Sequence, residues 1–176
     1  MVPEEANTSS YAKGVFDPET KTVHFRNCKW FTNLDHGRRH EPLMLDTMEH
    51  NLKFNKKLKK KLEGSYGKPE YPEYDNYDAI EVPYVEAIPS DYDGVMGVPI
   101  TFLDKYNPEQ FEIVGRDGDL DLAINYPFFN PPEESKQAKF KKANKTWRVQ
   151  NAYFEINGEA RGSYKRLFIK AKKAQG

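Results

Sequence analysis

The longest uninterrupted pattern in the chain lies between Glu41 and Glu63, where no glycine or proline follows Pro42. Apolar residues recur there at near-helical spacing: Leu45, Met48, Leu52, Leu58 and Leu62. This spacing places one apolar stripe along a helix, and lysines crowd the second half of the segment. Proline suits the first turn of a helix and glycine its end, so Pro42 and Gly64 mark the two ends. We therefore predict one long basic amphipathic helix.

Shorter segments rich in β-branched and aromatic residues predict strands at Lys21–Thr32, Val95–Leu103, Phe111–Val114 and Trp147–Ile156. Asn157-Gly158 is a strong hairpin signal, because type I′ turns need positive φ at both central positions. The returning strand is predicted from Tyr164 to Lys172, and residues 1–20 predict a loose lead-in. These patterns predict an α+β fold with a mainly antiparallel sheet, one long basic amphipathic helix and a C-terminal hairpin, in a single domain of residues 1–176.

Composition restricts the class of protein. Aromatic residues make up 14% of the 176 residues, so we expect rings to build the core, with Phe154, Leu167 and Ile169 among the buried residues. No apolar run approaches the roughly 20 residues of a membrane span, and the first ten residues do not resemble a signal peptide. Cys28 is the only cysteine, which excludes an intramolecular disulfide. These features predict a bacterial-type cytoplasmic protein with no membrane association.

The net charge is zero, but the charges are segregated along the chain. Nine acidic residues and no lysine or arginine occur between Pro69 and Asp104, whereas Lys136–Gly176 holds twelve basic residues against two acids. A second basic block, Lys53–Lys61, contains six lysines. Segregation of this kind can create one cationic face that binds a polyanion. The two charge types can equally pair with one another on an ordinary surface, and the sequence leaves both interpretations open.

Three unusual segments resemble one known family. "WFTNLDHGRRHEPL" (Trp30–Leu43), "YDNYDAIEV" (Tyr74–Val82) and "PSDYDGVMGVPITFLDKYNPEQFEIVG" (Pro89–Gly115) are similar to the C-terminal half of EcoRI-type adenine-specific DNA methyltransferases. A weaker likeness covers Asn157–Lys172, and residues 118–148 depart from the family pattern.

The resemblance implies a function that depends on the catalytic half of the family enzymes. Family members carry an S-adenosylmethionine loop and an Asn-Pro-Pro-aromatic motif upstream of the "WFTNLDH" segment, and this sequence begins shortly before that segment. We therefore expect the DNA-engaging C-terminal module of an N6-adenine-specific methyltransferase of restriction-modification type, inactive alone and with no cofactor of its own. S-adenosylmethionine is implied for the complete enzyme. The expected partners are double-stranded DNA and a separate catalytic subunit.

A non-enzymatic regulator derived from such a methyltransferase is the alternative, so the enzymatic status stays open. In that interpretation, the acidic and tyrosine-rich run Glu70–Asp93 mimics DNA or docks a basic partner.

Asn130-Pro131-Pro132 matches the first three residues of the motif by which N6-adenine methyltransferases hold their target base. In that motif an aromatic residue follows and stacks on the flipped base. Here the next residue is Glu133, and the tripeptide lies downstream of the matching segments rather than upstream. Tandem prolines after two phenylalanines are more typical of an extended loop. We therefore assign no catalytic residue.

The predicted DNA contacts fall in three places. The resemblance places Arg38 and Arg39 beside DNA phosphate. The predicted helix presents Lys53, Lys56, Lys57, Lys60 and Lys61 to phosphates, and Lys165 and Arg166 lie among the aromatic residues of the last strand. His36 and His40 lack a third metal ligand, and the run Asp117, Asp119 and Asp121 lacks the glycine and glutamate of a calcium loop. No metal site is predicted.

Overall fold

The computed structural model describes residues 15–24, 34, 37, 40–118, 127–143, 145–156, 159–162 and 165–172. The chain divides into two units, Met1–Asp35 and His36–Gly176. In the first unit, β1 (Val15–Asp17) pairs antiparallel with β2 (Thr22–His24). The prediction of a loose lead-in is therefore wrong for β1. The strand predicted over Lys21–Thr32 is confirmed for β2, and its remainder lies outside the described residues.

The second unit is built on a four-stranded sheet. Its strands are β3 (Ala79–Glu81), β4 (Val95–Pro99), β5 (Phe111–Arg116) and β8 (Arg166–Ala171). The strand order is β3-β4-β8-β5, in which β3 and β4 run parallel while β8 is antiparallel to both of its neighbours. A predominantly antiparallel α+β fold is thereby confirmed. The strand predicted over Val95–Leu103 is too long, because a 3-10 helix begins at Ile100.

Both faces of this sheet are covered, as the alternation of side chains along β8 shows. Leu167 and Ile169 pack into one apolar cluster together with Leu58 and Leu62. Phe168 points to the opposite face and joins an aromatic cluster: Tyr74, Tyr77, Ala79, Ala152 and Phe154. Leu167, Ile169 and Phe154 are all buried, as predicted. Of the tyrosines in the acidic run, Tyr71, Tyr74 and Tyr77 are core residues, whereas Tyr84 and Tyr92 are half-buried.

The prediction of one continuous helix is wrong. The structure has α1 (Met48–Phe54), α2 (Lys56–Lys61) and one π-helical turn (Leu62–Tyr66) that ends at Gly67 in the left-handed region. Asn55 separates the two helices, because its ψ of 91° is extended and its side chain accepts a hydrogen bond from the Leu58 N–H at 3.0 Å. Asparagine prefers such a capping role to a helix interior.

The helix also begins later than Pro42. The Leu43 backbone is held by the side-chain amide of Gln110, which accepts from its N–H at 2.6 Å and donates to its carbonyl at 3.1 Å. The Asp46 carbonyl accepts from the Ser90 N–H at 2.9 Å. Backbone groups with these distant partners are not available for helical hydrogen bonds. Thr47 then caps α1 by accepting from the His50 N–H.

The C-terminal hairpin exists, but with a different second strand. β6 (Tyr153–Ile156) pairs with β7 (Glu159–Gly162) through the register Ile156↔Glu159, and residues 157–158 lie outside the described residues. The predicted returning strand, Tyr164–Lys172, is wrong as the partner of β6, because β8 belongs to the main sheet. A third helix, α3 (Glu134–Ala143), precedes the hairpin. Among the described residues, no helix has the length and apolarity needed to span a membrane.

Candidate nucleic-acid interface

Three lysines share one exposed side of α2. Lys56, Lys59 and Lys60 are spaced i, i+3 and i+4, which places them on one helix face, and all three are exposed. Together with Glu63 and Gly64 they line a shallow surface depression. The opposite side of α2 carries Leu58, which is fully buried in the core. We call Lys56, Lys59 and Lys60 the α2 lysine surface.

The α2 lysine surface differs from the predicted set. Lys59 was not among the predicted contacts, although its spacing from Lys56 and Lys60 is the signal that identifies it. Lys57 is exposed, but its Nζ lies 3.9 Å from the centre of the Tyr84 ring, a cation–π contact. Lys61 is half-buried. Lys53 is exposed on α1, with its Nζ 5.4 Å from the centre of the Phe54 ring.

Arg38 and Arg39 lie outside the described residues, as does His36. His40 is exposed, and its Nδ1 lies 3.2 Å from a carboxylate oxygen of Glu109. Within the parts of the chain that the structure describes, no group of three or more histidine, cysteine, aspartate or glutamate side chains is arranged to hold a metal ion.

Arg166 occupies the interior instead of the surface. Its Nε donates to both carboxylate oxygens of Glu81 at 3.0 Å, and its Nη2 donates to Oε1 at 2.5 Å. Tyr66 and Tyr74 donate their hydroxyl hydrogens to the same carboxylate. The Glu81 side chain is fully buried and that of Arg166 is 10% exposed. The prediction that Arg166 contacts DNA is therefore wrong, because its guanidinium is engaged by a buried carboxylate. Its neighbour Lys165 is exposed, and its predicted role stays a prediction.

The positions of Glu81 and Gly97 on the neighbouring strands β3 and β4 explain how the Glu81 carboxylate reaches its partners. Glu81 ends β3, and its register partner in the parallel ladder is Gly97 of β4. A Cβ at Gly97 would clash with the Tyr74 hydroxyl, so glycine gives the tyrosine room to reach Glu81. Burial lowers the pKa of Arg166, but hydrogen bonding and ion pairing with Glu81 outweigh it, and the net shift is upward. Burial and the Glu81 charge also raise the pKa of Tyr66. The cluster is therefore a buried ion pair whose carboxylate also accepts from two tyrosine hydroxyls.

The Asn-Pro-Pro segment packs against the aromatic cluster. The Asn130 N–H donates to the Asn76 carbonyl at 2.9 Å, and Phe129 forms an isolated antiparallel bridge with Tyr77. Pro132 is buried, and its carbonyl accepts from the Gln137 side chain in α3. The segment is an extended connection into α3, as predicted. Asn130 borders a polar cleft together with Glu73, Tyr74, Tyr77, Asp78, Ala79, Tyr92 and Pro127.

Comparison with known proteins decides the family. A family model described as adenine-specific methyltransferase EcoRI matches residues 1–172. The chain belongs to this methyltransferase family. It is 41% identical over 134 residues to the type II methyltransferase M.EcoRI of Escherichia coli, a match that covers 73% of this chain and 36% of that protein. The resemblance found in the sequence is thereby confirmed.

Two mycoplasma relatives give the same result. The chain is 38% identical over 109 residues to the type II methyltransferase M.MgeORF184P of Mycoplasma genitalium, covering 57% of this chain and 30% of that protein. It is 42% identical over 85 residues to the type II methyltransferase M.MpnI of Mycoplasma pneumoniae, a match that covers 48% of this chain and 22% of that protein. The matched segments thus span about a third or less of each relative. No solved structure matches the chain.

In this member of the family, Asp117 joins the main sheet to the hairpin. It follows β5 directly, its N–H donates to the Arg166 carbonyl at 2.9 Å, and its Oδ1 accepts from the Ala152 N–H at 2.8 Å. The residue is 8% exposed. Burial raises the pKa of the Asp117 carboxyl to about 6, although the bonds to Ala152 and Asn151 act in the opposite direction.

Replacing Asp117 with asparagine is expected to remove a pH-dependent instability. Because the folded-state pKa lies above the ordinary value of 3.8, the folded state binds the proton more tightly. The favourable contribution is present below pH 3.8 and is lost as pH rises through 6. The asparagine side chain keeps an acceptor for the Ala152 N–H, so Asp117→Asn should match the native chain near pH 4. It should be about 2–3 kcal/mol more stable at pH 7 to 8.

Urea unfolding at a series of pH values measures this difference. Asp78→Asn, at an exposed aspartate, is the control and should show no such trend. A constant difference between Asp117→Asn and the native chain at all pH values would contradict the raised pKa.

Proposed function

We propose that this chain is the DNA-engaging C-terminal module of an N6-adenine-specific DNA methyltransferase of restriction-modification type. The observation that carries the proposal is the α2 lysine surface, which projects three ammonium groups from one face of a helix that is anchored by Leu58. Membership of the methyltransferase family supplies the context in which a cationic surface meets DNA.

The charge distribution favours phosphate as the ligand of this surface. Glu63 is the one acid among the residues that line the depression at Lys56, Lys59 and Lys60. Three further lysines, Lys53, Lys57 and Lys61, lie on the same pair of helices. Lysine binds phosphate as a point charge on a flexible stem, so the contact orients a module on DNA without reading its sequence. Sequence readout is therefore assigned to other residues of the complete enzyme.

Methyl transfer requires S-adenosylmethionine, and the described residues do not fit a site for it. Such a site needs a glycine-rich loop after a strand so that the backbone can approach the donor closely. β3 is followed by Val82 and Pro83, β4 by a 3-10 helix, and β5 by Asp117 and Gly118. We propose that a separate cytoplasmic catalytic part binds the donor and that this chain alone transfers no methyl group.

Fluorescence anisotropy of a labelled duplex, titrated with the chain at several salt concentrations, tests DNA engagement. If the three lysines of the α2 surface each meet one phosphate, the slope of log K against log[salt] should be about −3. Absence of binding at roughly 50 mM salt, where phosphate contacts are strong, would exclude a DNA-engaging role for the isolated chain. Incubation of the same sample with radiolabelled S-adenosylmethionine and DNA should yield no methylated product.

A further inference from the structure

Phe54 is a large apolar side chain on the surface. It is the last residue of α1, and 59% of it is exposed. It belongs to neither of the two core clusters, whereas Leu58 and Leu62, four and eight residues later, are fully buried. The break at Asn55 separates Phe54 from the helix that carries these two leucines. Phe54 is therefore exposed at the point where the helix is interrupted, and not at the end of one long helix.

The ring of Phe54 is held by its neighbours within α1. The His50 ring lies one turn earlier, with its centroid 4.6 Å from that of Phe54 at an angle of 44°. His50 is itself held by Asp46, whose Oδ2 lies 3.3 Å from the His50 Nδ1. The Lys53 ammonium lies 5.4 Å from the Phe54 ring centre. An exposed ring with such support loses little side-chain freedom when it binds a ligand.

The charge around Phe54 indicates what covers it. A single exposed apolar residue needs no explanation by itself. Phe54, however, follows Lys53, whose ammonium lies 5.4 Å from its ring centre, and it stands two residues before Lys56, the first lysine of the α2 surface. A partner that complements both features carries negative charge and flat aromatic faces. Nucleic acid has this chemistry, since phosphates meet lysines while bases stack on aromatic rings.

Resting on the proposed function, we propose that Phe54 stacks on a DNA base that local unpairing or unstacking exposes, while the neighbouring lysines hold the backbone. The faces of bases in an intact duplex are covered by their neighbours. Apolar side chains at DNA interfaces reach them only where a base step is opened or a base is unpaired. Phe54 therefore makes the module selective for locally distorted DNA, a property that phosphate contacts alone cannot provide.

Binding to two labelled duplexes of equal length tests this assignment, one fully paired and one with a single bulged adenine. A stacking contact contributes roughly ten- to a hundredfold in affinity, so the native chain should prefer the bulged duplex by about tenfold. Phe54→Leu keeps an apolar side chain but removes the ring, and should lose the preference while binding the paired duplex within about twofold of the native chain. Phe54→Trp should retain the preference.

Met44→Ala is the matched control, because Met44 is 93% exposed and lies outside α1 and α2. It should bind both duplexes as the native chain does. Equal affinity of the native chain for the two duplexes, or a preference that survives Phe54→Leu, would overturn the stacking role while leaving the proposed function intact. Failure of the native chain to bind either duplex at low salt would instead remove the proposed function, and the stacking role with it.

Discussion

Arg166→Met is expected to lower the free energy of unfolding by about 3–5 kcal/mol. The substitution removes three hydrogen bonds and the counter-charge from Glu81, whose side chain is fully buried. Tyr66 and Tyr74 still donate to the carboxylate, but two neutral hydroxyl groups cannot compensate a buried charge. Urea denaturation followed by near-ultraviolet circular dichroism, which reports the aromatic cluster around Tyr74, measures the loss.

The double variant Glu81→Gln/Arg166→Met should recover most of this stability. The glutamine oxygen accepts from one tyrosine hydroxyl and the glutamine amide N–H donates to the other, so no charge is left in the interior, and such a replacement of a buried ion pair is often close to neutral. Lys165→Met is the control, because it changes the exposed neighbour of Arg166 and should shift stability by no more than about 0.5 kcal/mol. Equal effects of Lys165→Met and Arg166→Met would contradict the interior role of the guanidinium.

Reversing the charge of the α2 lysine surface is expected to weaken DNA binding on the order of a hundredfold at low salt. In Lys56→Glu/Lys59→Glu/Lys60→Glu, three phosphate attractions become repulsions. The slope of log K against log[salt] should therefore become shallower by about 3. The three side chains are exposed while Leu58 anchors α2, so the fold should be retained, which circular dichroism verifies. Salt-dependent anisotropy with one duplex measures both quantities.

Helix α3 provides a control with the same change in net charge. Lys139, Lys141 and Lys142 are exposed there, while Phe140 packs on Tyr153 with ring centroids 4.7 Å apart. Lys139→Glu/Lys141→Glu/Lys142→Glu should reduce affinity only modestly and leave the salt slope within about 1 of the native value. If the two triple variants weaken binding equally, the net charge of the chain matters and the α2 surface has no special role.

Local patterns predicted strands at β4, β5 and β8 of the main sheet and the burial of Phe154, and the resemblance of three sequence segments indicated the methyltransferase family. The break in the basic helix could also have been predicted from the sequence. Asn55 stands three residues before Leu58, the spacing of a helix cap, and capping residues compete with helix interiors. The helical spacing of the flanking apolar residues concealed this signal, because a one-residue interruption barely disturbs the period.

The beginning of α1 depended on partners far along the chain. The backbone at Leu43 bonds to Gln110, and the backbone at Asp46 bonds to Ser90. No local pattern indicates that these backbone groups form hydrogen bonds with distant residues. The apolar spacing alone therefore extended the predicted helix to Pro42.

The sequence by itself determined which residues of the last strand share a face, because side chains alternate along any strand. It therefore separated Arg166 and Phe168 from Leu167 and Ile169. Only the tertiary structure decided that both faces are covered, since Leu58 and Leu62 pack on one face and the aromatic cluster packs on the other. A basic residue on an uncovered face would meet solvent or DNA. Arg166 meets Glu81 instead, because strand order is set by contacts between residues distant in sequence, which alternation does not encode.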